Sequence, residues 1–415
     1  MRGRAFASAC LTTALAIGVV ACGGNGDGGG TVADDANATT LTIYSSLPLR
    51  GASAAQAESI VNSEKLALED AGGRVGKFIV KYVSVDDSAG PAGWEPKAVS
   101  VAARKAAQDK TTIGYIGDMD SGASAISIPV LNEAGILQIS PSNTAVGLTR
   151  SEGADKGEPE KYYPSGKRTF GRVIPADNVQ AAAQISYQQD EGCSSTFLLH
   201  DSEFYGKGLV DQIAAKAPAR RLPIAGAEGL DPGAADQHSV IEKITASGAD
   251  CVFYGGRTQI NAVRLFEELH AAFPTAKLFG ADGVAERAFT SELSPAVAKQ
   301  VYITTPTLDP RLYPPAGQAF FKSYKARYGQ DPEPLAIYGY EAMQVMLLAI
   351  RNAGDKANDK QAVVDEFFKI KNRDSVLGRY SIDENGDTTL ADYGTATVKN
   401  GRLVFRKVIG TAAAG

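Results

Sequence analysis

A strand-then-helix rhythm, repeated along most of the chain, constrains its fold more than any other feature. Leu41 to Ser45 reads as a strand, and Ala54 to Ala71 as a helix with Ile60, Leu66 and Leu68 on its apolar side. Gly72-Gly73 stops that helix. Phe78 to Val85 is the second strand, ended by Asp86-Asp87-Ser88, and a helix from Lys97 to Gln108 follows the loop that carries Trp94, read as a packing residue. Such alternation is the mark of parallel sheets covered by helices, and the length from Leu41 onward suits two domains.

The stretch Thr111 to Val146 holds two strand-to-helix turns one βα unit apart. The apolar run Ile113 to Ile116 breaks at a loop of Gly, Asp and Ser before a helical segment through Ile126 and Leu131. The short strand Ile136 to Ile139 breaks at Ser140-Pro141-Ser142-Asn143-Thr144. In an open parallel sheet these turns lie at the carboxyl ends of the strands, where ligands bind. Each also presents backbone N–H groups at a helix start, a ready anion site. The pair is therefore read as holding the carboxylate end of a small solute; ordinary loops with serine N-caps are the alternative.

Residues 147–171 are polar and turn-rich, a loop length associated with function or with a passage between domains. Asp177 is expected to N-cap a helix from Val179 to Gln189. A second βα series follows, with strands Thr196 to His200, Leu222 to Ala225, Cys251 to Tyr254, Lys277 to Phe279 and Val301 to Thr304. Its helices lie near Lys207 to Ala217, Gln237 to Ala246 and Gln259 to Ala271. Helices Gln318 to Tyr328 and Leu335 to Asn352 read as a return to the first lobe. In the tail, Asn385-Gly386 and Asn400-Gly401 are read as hairpin turns. Asp383, Asn385 and Asp387 begin like a calcium loop, but Thr388 and Gly394 stand where that loop needs Gly and Glu.

The first 21 residues carry Arg2 and Arg4, an apolar run to Val20 and small residues before Cys22, the pattern of a secretory signal. The ending Val19-Val20-Ala21-Cys22 looks like a bacterial lipoprotein cleavage site, which makes Cys22 the expected acylated residue, against an ordinary signal with a cysteine nearby. Removing Arg2 and Arg4 takes the formal charge from −5 to −7, a mild acidity that gives no reason to expect nucleic acid or a polybasic membrane patch. Residues 22–40 are read as a flexible tether, with a reach on the order of 20–25 Å.

The three histidines, His200, His238 and His270, have no metal-ligand spacing, and no set of residues pairs a nucleophile with a base. HExxH, GxSxG and Walker patterns are missing, and no GxGxxG opens a helix. Neither cofactor nor metal is expected.

The motifs LPLRGAS, LALEDAGG, SGASAISIPVLNEAGILQISPSNTA, FGRVIPAD, FYGKGL, FGADGVAE, AIYGYEA and SIDENGD stand in that order. Together they resemble the substrate-binding proteins of branched-chain amino-acid ABC importers, from about Leu41 to Val408. The resemblance implies the type 1 periplasmic-binding-protein fold: α/β, two Rossmann-like doubly wound lobes, a three-stranded hinge and a ligand cleft between them. It divides the chain into residues 41–172 plus 305–372 and residues 173–304 plus 373–412. It also implies a monomer that delivers its ligand to an ABC permease and performs no chemistry.

Carried onto this sequence, the family's carboxylate site falls on Ser121-Gly122-Ala123 and Ser142-Asn143-Thr144. Tyr205 matches a tyrosine facing the cleft, and Asp282 the acid that takes the ligand's ammonium group, unless it only caps the next helix. Where the leucine-binding branch tends to place an aromatic, this chain has Arg257. At the cleft, Arg257 would favour an acidic or polar ligand; otherwise it is a solvated loop cation. The leading expectation is a lipid-anchored receptor for an amino acid or related small acid. A ligand sensor for a membrane signalling partner and an enzyme on the same fold are the alternatives.

Topology adds one expectation. In a sheet of order 2-1-3-4-5, strands one and three are neighbours. Cys193 precedes the first strand of the second series and Cys251 opens the third, so a disulfide between them is within reach. A buried Cys251 and a lone Cys193 thiol are the alternative.

Overall fold

The computed structural model describes residues 39–89, 93–231, 234 and 236–410. The proposed signal, Cys22 and nearly all of the tether lie outside the described residues.

Two sheets organise the structure. The first runs Arg74–Val75, Phe78–Asp86, Thr40–Leu47, Thr112–Gly117, Leu137–Ser140, Phe170–Arg172. Its five longer strands pair in parallel and take the order 2-1-3-4-5, while the two-residue Arg74–Val75 adds an antiparallel edge. Seven of the eight residues of Thr40–Leu47 and all six of Thr112–Gly117 are buried, as strands covered on both faces must be. One face packs on Ala54–Asp70 and Ala336–Ala353 through Ile43, Ile60, Ile116 and Met346. The other packs on Pro96–Gln108 and Ser121–Glu133 through Tyr44, Ala103, Tyr115 and Leu131.

The second sheet runs Ile224–Gly229, Thr196–His200, Cys251–Gly255, Lys277–Gly280, Val301–Thr305, Asp392–Lys399, Arg402–Gly410. The first five are parallel, again in the order 2-1-3-4-5, and the last two are antiparallel. Helices Asp177–Asp190 and Phe204–Lys216 cover one face; His238–Ser247 and Ala262–Ala272 cover the other.

The chain crosses between the sheets after Phe170–Arg172, after Val301–Thr305 and before Asp392–Lys399. On its return, helices Pro315–Tyr328, Ala336–Ala353 and Lys360–Phe368 add Phe320, Met343 and Phe367 to the first sheet's core. The fold is thus two α/β lobes with their strand ends facing a common cleft.

Asn400 and Gly401 form a two-residue hairpin loop, both left-handed at φ 52° and 70°. Asn385-Gly386 does not join two strands. It sits inside a turn closed by a single bridge between Ile382 and Thr388. The Asp383 carboxylate accepts the N–H groups of Asn385 and Asp387, each at 2.9 Å. Arg150 pairs with Asp383 and Asp387, and the fully buried Arg172 reaches Asp387 at 2.8 Å, so arginines neutralise this turn. A second correction concerns Asp177. The helix starts at Asp177 itself, with Ala176 before it and no side-chain cap.

Cys193 and Cys251 are joined by a disulfide with a Cα separation of 5.8 Å. Cys251 stands opposite Thr196 in the register of neighbouring parallel strands, which puts the bond at the amino ends of strands one and three.

Candidate functional site

A cavity of about 40 Å³ lies between the lobes, lined from the first by Ser121, Ser142 and Thr144 and from the second by Tyr205, Arg257 and Asp282.

On the first lobe, the strand Thr112–Gly117 gives way to the helix Ser121–Glu133. The N–H groups of Ser121 and Gly122 belong to the first helical turn and have no acceptor within the helix. A Cβ on Gly122 would come within 2.9 Å of the Trp94 ring, so glycine lets the indole pack on the helix start. Some backbone donors of the two turns are already engaged within the protein. Ala123 N–H donates to the Asp120 carbonyl at 3.0 Å. Ser142 and Asn143 N–H both donate to Ser140 Oγ, at 3.2 and 2.9 Å. Ser142 Oγ and Asn143 Nδ2 donate to the Met119 carbonyl at 2.8 and 3.0 Å. Asn143 therefore staples the second turn to the first and is not among the cavity's lining residues, nor are Gly122 and Ala123.

Across the cavity, Tyr205 Oη donates to Asp282 Oδ1 at 2.6 Å. Asp282 opens a short 3₁₀ turn, Asp282–Val284, in the loop after Lys277–Gly280. Burial pushes its carboxyl above the usual range, against the pull of hydrogen bonds from Tyr205 and Gln180. Asp177 is fully buried, and neither of its carboxyl oxygens has a hydrogen-bond partner in the protein. Burial, then repulsion from Asp282, pushes Asp177 up to about 8, with Thr144 and Arg172 opposing. Asp282 and Tyr205 thus share one narrow cavity with the helix start at Ser121, an arrangement that fits the two ends of a zwitterion.

Arg257 lines the cavity, but its charge is already matched. Nη1 is 2.8 Å from Asp120 Oδ1 on the other lobe, Nε 3.8 Å from Asp201 and Nη2 3.7 Å from Glu203. Asp201 Oδ2 also accepts the Arg257 backbone N–H at 3.1 Å. Burial pulls the guanidinium pKa down, and the three carboxylates more than offset it. With three acids around one cation, Arg257 offers little to an acidic ligand.

A family model described as periplasmic binding protein matches residues 40–402. The chain belongs to this family. An amino acid binding protein of Pseudomonas aeruginosa is 31% identical over 355 residues, covering 83% of this chain and 87% of its own. The Leu/Ile/Val-binding protein homolog 1 of Brucella suis is 28% identical over 350 residues, 84% of this chain and 87% of its own. The fold matches that of a leucine binding protein from Thermotoga maritima, with a TM-score of 0.78 at 22% identity over 89% of this chain and 99% of that one. It also matches a solute binding protein of R. palustris in complex with benzoate, with a TM-score of 0.74 at 18% identity over 89% of this chain and 96% of that one.

Several residues of this periplasmic binding protein's cleft escaped the sequence reading. Ser53, Gln56, Met119, Asp120, Gln259, Gly283, Glu286 and Leu335 complete the lining. Ser53 Oγ, in the loop after the first strand, donates to Glu286 Oε1 on the other lobe at 2.7 Å. A signal existed: Ser53 ends the LPLRGAS turn and Glu286 ends FGADGVAE, both at carboxyl ends of strands near the switch points.

Proposed function

We propose that this chain is an extracytoplasmic solute receptor that closes on an amino acid or related small zwitterion and hands it to an ABC permease. The observation that carries the reading is the opposition across one cavity of the helix start at Ser121-Gly122, with Thr144 beside it, and the Tyr205–Asp282 pair. The first supplies N–H and hydroxyl donors for a carboxylate, and the second supplies acceptors for an ammonium group. No cofactor or catalytic step is part of this reading. Its relatives' names, amino acid binding and Leu/Ile/Val-binding, point the same way. Among the described residues no helix is long and apolar enough to cross a membrane, so the membrane link we propose is the lipid on Cys22.

A thermal-shift screen of the purified protein against the amino acids, small amides and dicarboxylates tests the reading. Binding to the folded state alone raises the melting temperature with ligand concentration, by about 2.7 kcal/mol of stability at a hundredfold excess over Kd. A flat response to every zwitterion in the panel sinks it.

A further inference from the structure

We propose that the cleft selects a compact amino acid whose side chain ends in an N–H donor, and that Glu286, Gln259 and Ser53 recognise that end. The proposal rests on the solute-receptor reading and concerns the part of the cavity away from Asp282.

The lining divides into two ends. Thr144, Tyr205 and Asp282 gather at one, with Asp177 behind them. Glu286 lies at the other, where it interacts with Ser53, Thr258 and the charge of Asp120. At this second end the protein's own donors are mostly engaged. Ser53 Oγ gives its proton to Glu286 Oε1, and Gln259 Nε2 donates to Ser53 Oγ. Arg257 Nη1 donates to Asp120 Oδ1. What remains is acceptors: Asp120 Oδ2 and Gln259 Oε1 are buried without a hydrogen-bond partner, and Asp120 is only 8% exposed. Gln56 accepts the Leu335 N–H with its carbonyl and still has an amide N–H₂ to offer a side-chain carbonyl.

Charge points the same way. Glu286 is 2% exposed and has no cation within ion-pair distance among the described residues. Burial pushes its carboxyl up to about 7, with repulsion from Glu333 and Asp120 adding to it. An aliphatic tail would offer these acceptors nothing, whereas an N–H donor that reaches them removes the cost of burying them unpaired. Met119 and Leu335 supply apolar contact for a methylene or two. A cavity of about 40 Å³ admits on the order of three waters. So small a cavity favours a small ligand, and an amide or an ammonium end would satisfy the acceptors.

Calorimetry on the purified protein with asparagine, glutamine, 2,4-diaminobutyrate, ornithine, leucine, valine and glutamate tests the proposal. The amide or ammonium ligands should bind at least about a hundredfold more tightly than leucine. Comparing the first two with the next two decides which donor is preferred. Leucine or valine binding as tightly as any donor-tailed ligand overturns the inference and leaves the receptor reading intact. Binding by none of them overturns the inference, and a flat response across the whole thermal-shift panel removes the receptor reading as well. In Glu286→Leu, and separately in Gln259→Met at the half-buried loop position, the ratio of donor-tailed to leucine affinity should fall by about tenfold or more. That ratio is insensitive to the fraction of protein folded, and an unchanged ratio in both variants overturns the assignment.

Discussion

Arg257 Nη1 lies 2.8 Å from Asp120 Oδ1, and this contact ties the second lobe to the first across the cleft. Both side chains are under a tenth exposed, so water screens the pair weakly. Asp201 and Glu203 on the second lobe hold Arg257 in place, which makes Asp120 the cross-lobe half of the contact. Asp120→Asn keeps the shape and removes the charge. It should weaken closure by about 1.5–3 kcal/mol and enlarge the unliganded radius of gyration in solution scattering. A variant with the wild-type radius and ligand affinity would show that this pair does not hold the cleft.

Asp282→Asn should weaken the tightest amino-acid ligand by about 1.5–3 kcal/mol, the scale of a charged hydrogen bond. The amide carbonyl can still accept from Tyr205 Oη, so the unfolding midpoint of the unliganded protein should move little. Titration calorimetry decides, and an unchanged Kd excludes Asp282 from the ligand.

Glu64 makes stability depend on pH. It is fully buried in the helix Ala54–Asp70, accepts Tyr82 Oη at 2.6 Å on Oε2, and has no partner on Oε1. Burial pushes its carboxyl from 4.5 up to about 8. The folded state therefore holds a proton that the unfolded chain releases. Stability is full below pH 4.5 and falls as pH rises toward 8, by up to about 3–5 kcal/mol from this group. Glu64→Gln should flatten that part of the profile in chemical denaturation. An identical slope between pH 5 and 8 in the variant would remove Glu64 as its source.

The disulfide closes a separation of 58 residues and sits at the opposite strand ends from Arg257. Reducing it, or Cys193→Ser, should lower stability by about 2–4 kcal/mol. The rank order of ligands should not change, because neither cysteine lines the cavity. A reordered ligand panel in the reduced protein would contradict this separation.

If Cys22 carries the lipid, Cys22→Ala should move the protein from the membrane fraction to the soluble one, while Cys10→Ala should not. Fractionation with an antibody to the folded part reads the result. Retention of Cys22→Ala in the membrane points to another anchor.

Local pattern was enough for the architecture. Apolar runs a few residues long, broken by Gly, Ser and Asp and separated by helical periods, leave few arrangements besides doubly wound parallel sheets, whose connections have one hand. The same rules placed strands one and three of the second lobe side by side, which brought Cys193 to Cys251. They also put the turns of Ser121, Ser142 and Thr144 at strand ends, the family resemblance added Tyr205, Arg257 and Asp282, and all six line one cavity. What each side chain does there was a different matter. Arg257 answers to Asp120, 137 residues away, and Ser53 to Glu286, 233 residues away. Asp177 starts its helix without capping it and buries its carboxyl beside Asp282 and Thr144, groups beyond that helix. Backbone order follows from sterics and periodicity that a short window of sequence contains. The charge state and free valences of a cleft follow from which distant groups close on it, and only the folded chain decides that.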